Sequence, residues 1–342
     1  MGHSPALPRE FSDQSPDGRV TARRPMRSIV TAMPDAHSIL CPVDFSEQSR
    51  EALLWASAIA ERRGGQLTVL SVVEPLLVQA ARIRLGIDLV KAEVEPELRQ
   101  FVEATLPERA RQASRVTVEV TAGDPPDAIL AAARTHKAGL VVMGTNGLGG
   151  VKKLLLGSTT EKVLRRTETP VLVVPAGAVG APAAEQPAVQ LKKILLATDF
   201  HESAMSAVQW AGDLAADIGV PLVLAHVVEP VVVPHRWQAL VADFEDDRVA
   251  SGQRKLAELA GRFGNTPSES IVSVGRPADT IASLAVEHGA GLVVMGLANR
   301  EGAQPRTPGS IAYRVLRLAH VAVAVVPPAV SPTVPPMGPP TP

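Results

Sequence analysis

Residues Gly139–Pro175 read GLVVMGTNGLGGVKKLLLGSTTEKVLRRTETPVLVVP. Leu140–Met143 is a short apolar run ending at a glycine, the pattern of a buried strand. Gly144, Gly147, Gly149 and Gly150 then predict a loop of unusual backbone freedom. Gly157-Ser158-Thr159-Thr160-Glu161 opens a helix, with Ser158 placed to cap it and Glu161 placed to complete a capping box. Thr160, Val163, Leu164 and Thr167 follow at helical spacing and give that helix a face to pack on a sheet. Thr169-Pro170 stops it, and Val171–Val174 is a second buried strand. Strand, glycine loop, helix and strand make a right-handed crossover between parallel strands. The loop glycines let backbone approach a ligand, and the helix start offers unpaired N–H groups and a dipole that favours an anion. Together these predict a phosphate cradle, against the plainer alternative of a tight turn without a ligand.

Gly144 and Gly147 are separated by two residues, and nine residues separate Gly147 from Gly157-Ser158. This G-x2-G-x9-G-[ST] spacing resembles the ATP-binding signature of the universal stress protein family. No Gly-Lys-Ser/Thr of a Walker loop occurs, and no GxGxxG follows the first strand.

At 342 residues the chain is long enough for two domains. Its 34 basic and 35 acidic residues balance, so no global charge draws it to nucleic acid or a membrane. Aromatics are only 3%, which suits helices on parallel strands better than an aromatic-rich sandwich. The lone Cys41 excludes an internal disulfide and a cysteine-cluster metal site. No apolar run reaches membrane-spanning length, since His226, Glu229 and Pro230 interrupt Val220–Val233, and the N-terminus lacks the apolar core of a secretory signal. A cytoplasmic protein is expected. Residues 1–36 read as a disordered tail, within which Met26 or Met33 is an alternative start.

Ser38–Val43 is the first predicted strand and exits at Asp44; a helix from about Ser46 buries Ala52, Ala56, Ile59 and Arg63 and ends at Gly64-Gly65. Leu67–Val73 and Val116–Thr121 are further strands, and a helix runs from about Pro126 to His136. After an Ala/Pro/Gly-rich linker the pattern restarts. Asp199 repeats Asp44, Trp210 repeats Trp55 and Glu229 repeats Glu74, all at an offset of 155. Gly275 repeats Gly123, and Gly309-Ser310 repeats Gly157-Ser158, at an offset of 152, so the second copy lacks three residues in its second helical region. The expected layout is a tail at 1–36, domains at 37–175 and 192–327 with a linker at 176–191 between them, and a Pro-rich tail at 328–342.

Each half resembles one universal stress protein domain. The resemblance implies an α/β fold of two tandem doubly wound domains, each a five-stranded parallel sheet flanked by helices, of the adenine nucleotide alpha hydrolase-like kind. It implies pairing of two such domains through their last strands, here within one chain by way of Val171–Val174 and Val321–Val326, with a homodimer also possible. It implies ATP as ligand, with Asp44 by the ribose and adenine, Pro42 shaping the strand exit and Val73 lining the adenine pocket. Met143 and Gly144 would lie under the sugar, and Gly147, Gly157, Ser158 and Thr159 would hold the phosphates. The bland reading of the same residues is helix capping by Asp44 and Ser158 and core packing by Met143. The corresponding weaker second site would comprise Asp199, Val228, Met295, Gly296, Asn299, Gly309 and Ser310. There Asn299 replaces a loop glycine, and Pro308 removes an N–H beside Gly309.

The leading functional expectation is an ATP-binding stress-response protein whose second domain is a degenerate copy, structural or regulatory. The alternatives are a slow ATPase and a scaffold that binds no nucleotide. An ATPase needs a base or metal-activated water. Asp44 could hold Mg²⁺ near the phosphates, but no second carboxylate accompanies it in sequence, and His136 and His288 stand at helix ends, where a cation is favoured for structural reasons. No HExxH, GxSxG or CxxC occurs. Neither nucleic acid nor a membrane is expected as a partner.

Overall fold

The computed structural model describes residues 37–145, 156–178, 191–234, 236, 238–297 and 311–328, without the side chains of residues 238–242. In the first half, strands β1 (Ser38–Val43), β2 (Gln66–Val73), β3 (Thr117–Ala122), β4 (Leu140–Gly144) and β5 (Val171–Val174) alternate with helices. Helix α1 (Glu47–Arg63) follows β1, and α2 (Pro75–Leu85), α3 (Glu95–Thr105) and α4 (Glu108–Ala113) lie between β2 and β3. Helices α5 (Pro125–Thr135) and α6 (Ser158–Arg166) complete the half.

The second half repeats the order. It runs β6 (Ile194–Ala197), α7 (Met205–Ile218), β7 (Leu222–Val228), α8 (Gln238–Ala260) and β8 (Ser268–Val274). It then continues through α9 (Pro277–Glu287), β9 (Leu292–Gly296), α10 (Ile311–Leu318) and β10 (Ala322–Val326). One long helix, α8, and a short 3₁₀ turn at Gly261–Phe263 stand where the first half has α2 to α4. The three-residue deficit falls between β7 and β8, the shorter copy of the β2–β3 connection.

The strands form one sheet in the order β3-β2-β1-β4-β5-β10-β9-β6-β7-β8. All pairings within a half are parallel, and the β5–β10 seam is antiparallel, with Leu172 opposite Ala324 and Val173 opposite Val323. The central strands are apolar on both faces because helices cover both. Ile39 and Cys41 join one core with α1 and α7, while Leu40 joins the other with α5, α6, α9 and α10. Both cores run through the two halves without a break.

The local signals act as their chemistry dictates. Ser46 caps α1 by accepting from the Ser49 N–H at 3.2 Å. Gly64 ends it at φ 60°, where its N–H donates back to Ala60 and Glu61 carbonyls. Gly65 must be a glycine for a different reason, because a Cβ there would sit 2.2 Å from the His37 carbonyl oxygen. Ala52, Ala56, Ile59 and Arg63 are all buried, as their spacing requires. Arg63, with a side chain 2% exposed, crosses to the second half and pairs with Asp217 at 3.0 Å. Burial pulls its guanidinium pKa down, opposed by Asp217 and Asp213. Beside it Arg62 donates to the Ile218 carbonyl at 2.8 Å.

Candidate functional site

In a parallel α/β sheet the candidate crevice lies at the carboxyl ends of the strands. Asp44 leaves β1 there, half-buried, with Oδ1 accepting from Ser46 N–H at 3.2 Å and from Ser46 Oγ–H at 2.5 Å. The carboxylate thus orients the residue that caps α1 and does not cap the helix directly. Between them Phe45 adopts φ 65°, a region that bulky side chains avoid. Such a conformation costs on the order of 1–3 kcal/mol and persists where packing fixes it. Phe45 is held edge-on against Phe101, with ring centroids 5.5 Å apart.

Gly144 ends β4 beside this turn. A Cβ at Gly144 would come within 3.0 Å of the Gln48 backbone in the first turn of α1, so the close approach of β4 to α1 requires a glycine. Two hydrogen bonds fasten α6 to the same strand end: Gly157 N–H to the Thr145 carbonyl at 2.7 Å, and Thr160 Oγ–H to the Gly144 carbonyl at 3.0 Å. These correct the sequence expectation at two points. The residue capping α6 is Gly157, not Ser158, and no side chain bonds to that helix start; Glu161 turns instead to Arg165 at 2.6 Å. Ser158 is the first helical residue and Thr159 the second, so their N–H groups, with that of Thr160, are the ones the helix leaves without intrahelical acceptors. The Gly157 N–H is already used, and its φ of −59° is one that any residue adopts. Thr160, which periodicity marked only as packing, is a polar link within the site.

Met143 is buried in the core below Gly144, and Pro42 is half-buried in β1 opposite Leu70. Val73 is buried at the end of β2, where its carbonyl accepts from Gly123 N–H at 3.0 Å. Gly147 lies outside the described residues.

The second half repeats the turn. Asp199 Oδ1 accepts from His201 N–H at 3.0 Å, and Phe200 has φ 64°. Phe200 stacks at a tilt on His226, 4.5 Å between centroids, and His226 Nδ1 lies 2.9 Å from the Thr198 carbonyl, to which it donates. Here the strand ends, with residues of α9 and α10, line a half-open cavity of about 140 Å³. Of the predicted second-site residues, Asp199, Met295 and Gly296 line it. Val228 does not; Ala225, His226 and Val227 of the same strand do. Asn299, Gly309 and Ser310 lie outside the described residues.

Neither His136 nor His288 lines the second-domain cavity. His136 binds Glu119 at 2.6 Å, and its carbonyl accepts from Ser38 Oγ–H at the amino end of the sheet, opposite Asp44. His288 pairs with Glu269 at 3.4 Å. Burial pushes the Cys41 thiol up, so it stays protonated and inert. Among the described residues no group of three or more His, Cys, Asp or Glu side chains is placed to hold a metal ion. No described helix is long and apolar enough to cross a membrane. Chemically, the described residues offer a carboxylate acceptor and helix-start donors at one strand end.

The sequence profile of the universal stress protein family matches residues 36–175 and 190–327. A universal stress protein of Thermus aquaticus is 35% identical over 150 residues, covering 40% of this chain and 97% of that protein. One of Mycobacterium tuberculosis is 27% identical over 299 residues, covering 84% of this chain and 96% of that protein. Among solved structures, a universal stress protein from Archaeoglobus fulgidus aligns over 86% of this chain and 97% of its own, with TM-score 0.59 and 25% identity. The chain belongs to the universal stress protein family, as a tandem of two of its domains.

Proposed function

We propose that the domain at 37–175 binds ATP at the carboxyl ends of β1 and β4, and that the domain at 192–327 is a degenerate copy with a structural or regulatory role. In this reading Asp44 accepts from the ribose or adenine, and the N–H groups of Ser158, Thr159 and Thr160 face the phosphates. The loop glycines bring the backbone alongside. The observation that carries it is the convergence on Gly144. The Asp44 turn meets that residue through Gln48, and the start of α6 is tied to it by Thr160. A carboxylate for hydroxyls and a helix start for anions then share one strand end. Binding requires no turnover; ATP would bias the pairing or partner choice of the two domains, which stay joined in solution through β5 and β10, in a stress response in the cytoplasm.

Calorimetric titration of ATP into the full chain tests this. The expected result is about one ATP per chain, abolished by Gly157→Val in a variant that keeps its fold, because the branched side chain would intrude where phosphate approaches. Unchanged affinity in that variant would remove the cradle. Steady appearance of ADP from added ATP would replace binding by hydrolysis.

A further inference from the structure

Several residues that line the second-domain cavity are shorter than their first-domain counterparts, while His226, which replaces Ser71, is longer. Under the offsets of 155 and 152, Ser203 stands for Gln48, Ala225 for Leu70 and Ala312 for Thr160. Each exchange removes side-chain atoms. Leu70 is 0% exposed and packs into the core with Ile129 and Met143, so it occupies space that Ala225 leaves open. Thr160 spends its hydroxyl on the Gly144 carbonyl, whereas Ala312 has none to spend. A fourth exchange, Ile311 for Thr159, puts an apolar side chain at the rim. The floor itself is kept: Ile281 and Met295 repeat Ile129 and Met143.

The result is an apolar hollow of about 140 Å³ with a carboxylate at its mouth. A hollow of roughly 150 Å³ lined by aliphatic side chains stays dry and accepts benzene. One ring fits such a volume, and no lysine or arginine is among its described lining residues to meet a triphosphate. Asp199 Oδ1 accepts from His201 N–H, and its Oδ2 has no hydrogen-bond partner among the described residues. We infer that the second-domain crevice binds an uncharged, ring-sized apolar molecule bearing one hydrogen-bond donor, with the ring among Ala225, Ile281 and Met295 and the donor on Asp199. The inference extends past the ATP reading of the first domain and does not depend on it.

The probe is indole, a neutral ring with a single N–H, titrated into the full chain by calorimetry. One indole per chain is expected, with 1-methylindole at least several-fold weaker because it lacks the donor. Ala225→Leu restores the first-domain side chain and lowers indole affinity at least tenfold, while ATP binding stays as in the wild type. Ala312→Leu fills the same hollow from α10 and serves if the first variant does not fold. Indole binding that is unchanged in either folded variant overturns the inference. So does an absence of indole binding to the wild type up to its solubility, or a second ATP per chain that Ala225→Leu removes. If the wild type binds no ATP, the first-domain reading fails, and the indole titration still decides this one.

Discussion

The two domains set the same Asp-Phe turn at the end of the same strand and furnish the space beyond it differently. In the first, Leu70 and Thr160 close in: one fills volume, and the other ties the start of α6 to Gly144. In the second, Ala225 and Ala312 draw back and leave a hollow. The conserved part is the expensive part, a bulky residue at φ near 65° in each copy, which costs on the order of 1–3 kcal/mol. The altered part is side-chain exchange, with Ser203, Ala225 and Ala312 shorter and His226 and Ile311 longer than their counterparts. A duplicated fold can therefore hold its strand-end geometry constant and change what fits there through a few side chains.

The largest expected effect tests whether the copies stand together at all. Val173 and Val323 face each other across the seam and are almost wholly buried. Val173→Lys with Val323→Lys places two like charges there, which costs at least several kcal/mol, about the whole stability of a small domain. Cleavage between residues 179 and 190 followed by a sizing column should separate the halves of this variant and leave the nicked wild type associated.

The next sharpens the contrast in packing. Leu70→Ala makes the first crevice like the second and should lower stability by about 2–5 kcal/mol in urea denaturation. Ala225→Gly, at the matching position, should cost about 1 kcal/mol or less, because little side chain is lost. Equal costs would mean that the two crevices are packed alike.

A third contrast concerns affinity. Removing a charge-assisted hydrogen bond costs about 1.5–3 kcal/mol, or roughly ten- to a hundredfold in affinity. Asp44→Ala should weaken ATP binding by that factor, and Asp199→Ala should leave it within about twofold. The opposite pattern in a calorimetric titration would put the nucleotide in the second domain.

The smallest effect is confined to one copy. Glu51 on α1 accepts the Gly177 N–H at 2.9 Å, and burial is the main cause that raises its pKa, with repulsion from Glu47 adding to it and the Gly177 bond opposing it. Its second-domain counterpart is Ser206. A carboxyl raised on folding contributes stability below its ordinary range, and that contribution is lost as pH rises through the raised value. Glu51→Gln stays neutral and keeps an acceptor for Gly177. The stability of the wild type relative to this variant should therefore fall as pH rises from about 4 toward neutrality. A difference that does not change with pH would place the Glu51 carboxyl in an environment like open water.

Much of this was legible in sequence because it rests on local signals. The apolar runs ending at Asp44, Gly144 and Asp199, the offsets between copies and the glycines that end α1 each act over a few residues. What escaped has a physical cause in each case. The Val227-Val228 pair is identical in letters, and only the folded geometry at the end of β7 decides which member lines the cavity. Ser158 is a good capping residue that falls one position inside its helix. The positive φ of Phe45 and Phe200 has no signature, since phenylalanine is a poor choice for it. The hollow is the least legible feature, because it consists of what Ser203, Ala225 and Ala312 lack, and those positions meet only after three segments have folded.

The antiparallel seam has one further consequence. Because β5 and β10 run oppositely, every strand of the first domain points one way and every strand of the second points the other. Asp44 and Asp199 therefore stand on opposite rims of the slab, and β1 and β6 are five strand spacings apart, about 24 Å. The molecule has two mouths facing away from each other, like the two ends of a corridor. Molecules entering them approach from opposite sides and never touch, and a partner seated over one rim covers a single mouth. Between them lie the β5–β10 seam, the two shared cores and the contacts of Arg63 with Asp217 and of Arg62 with the Ile218 carbonyl.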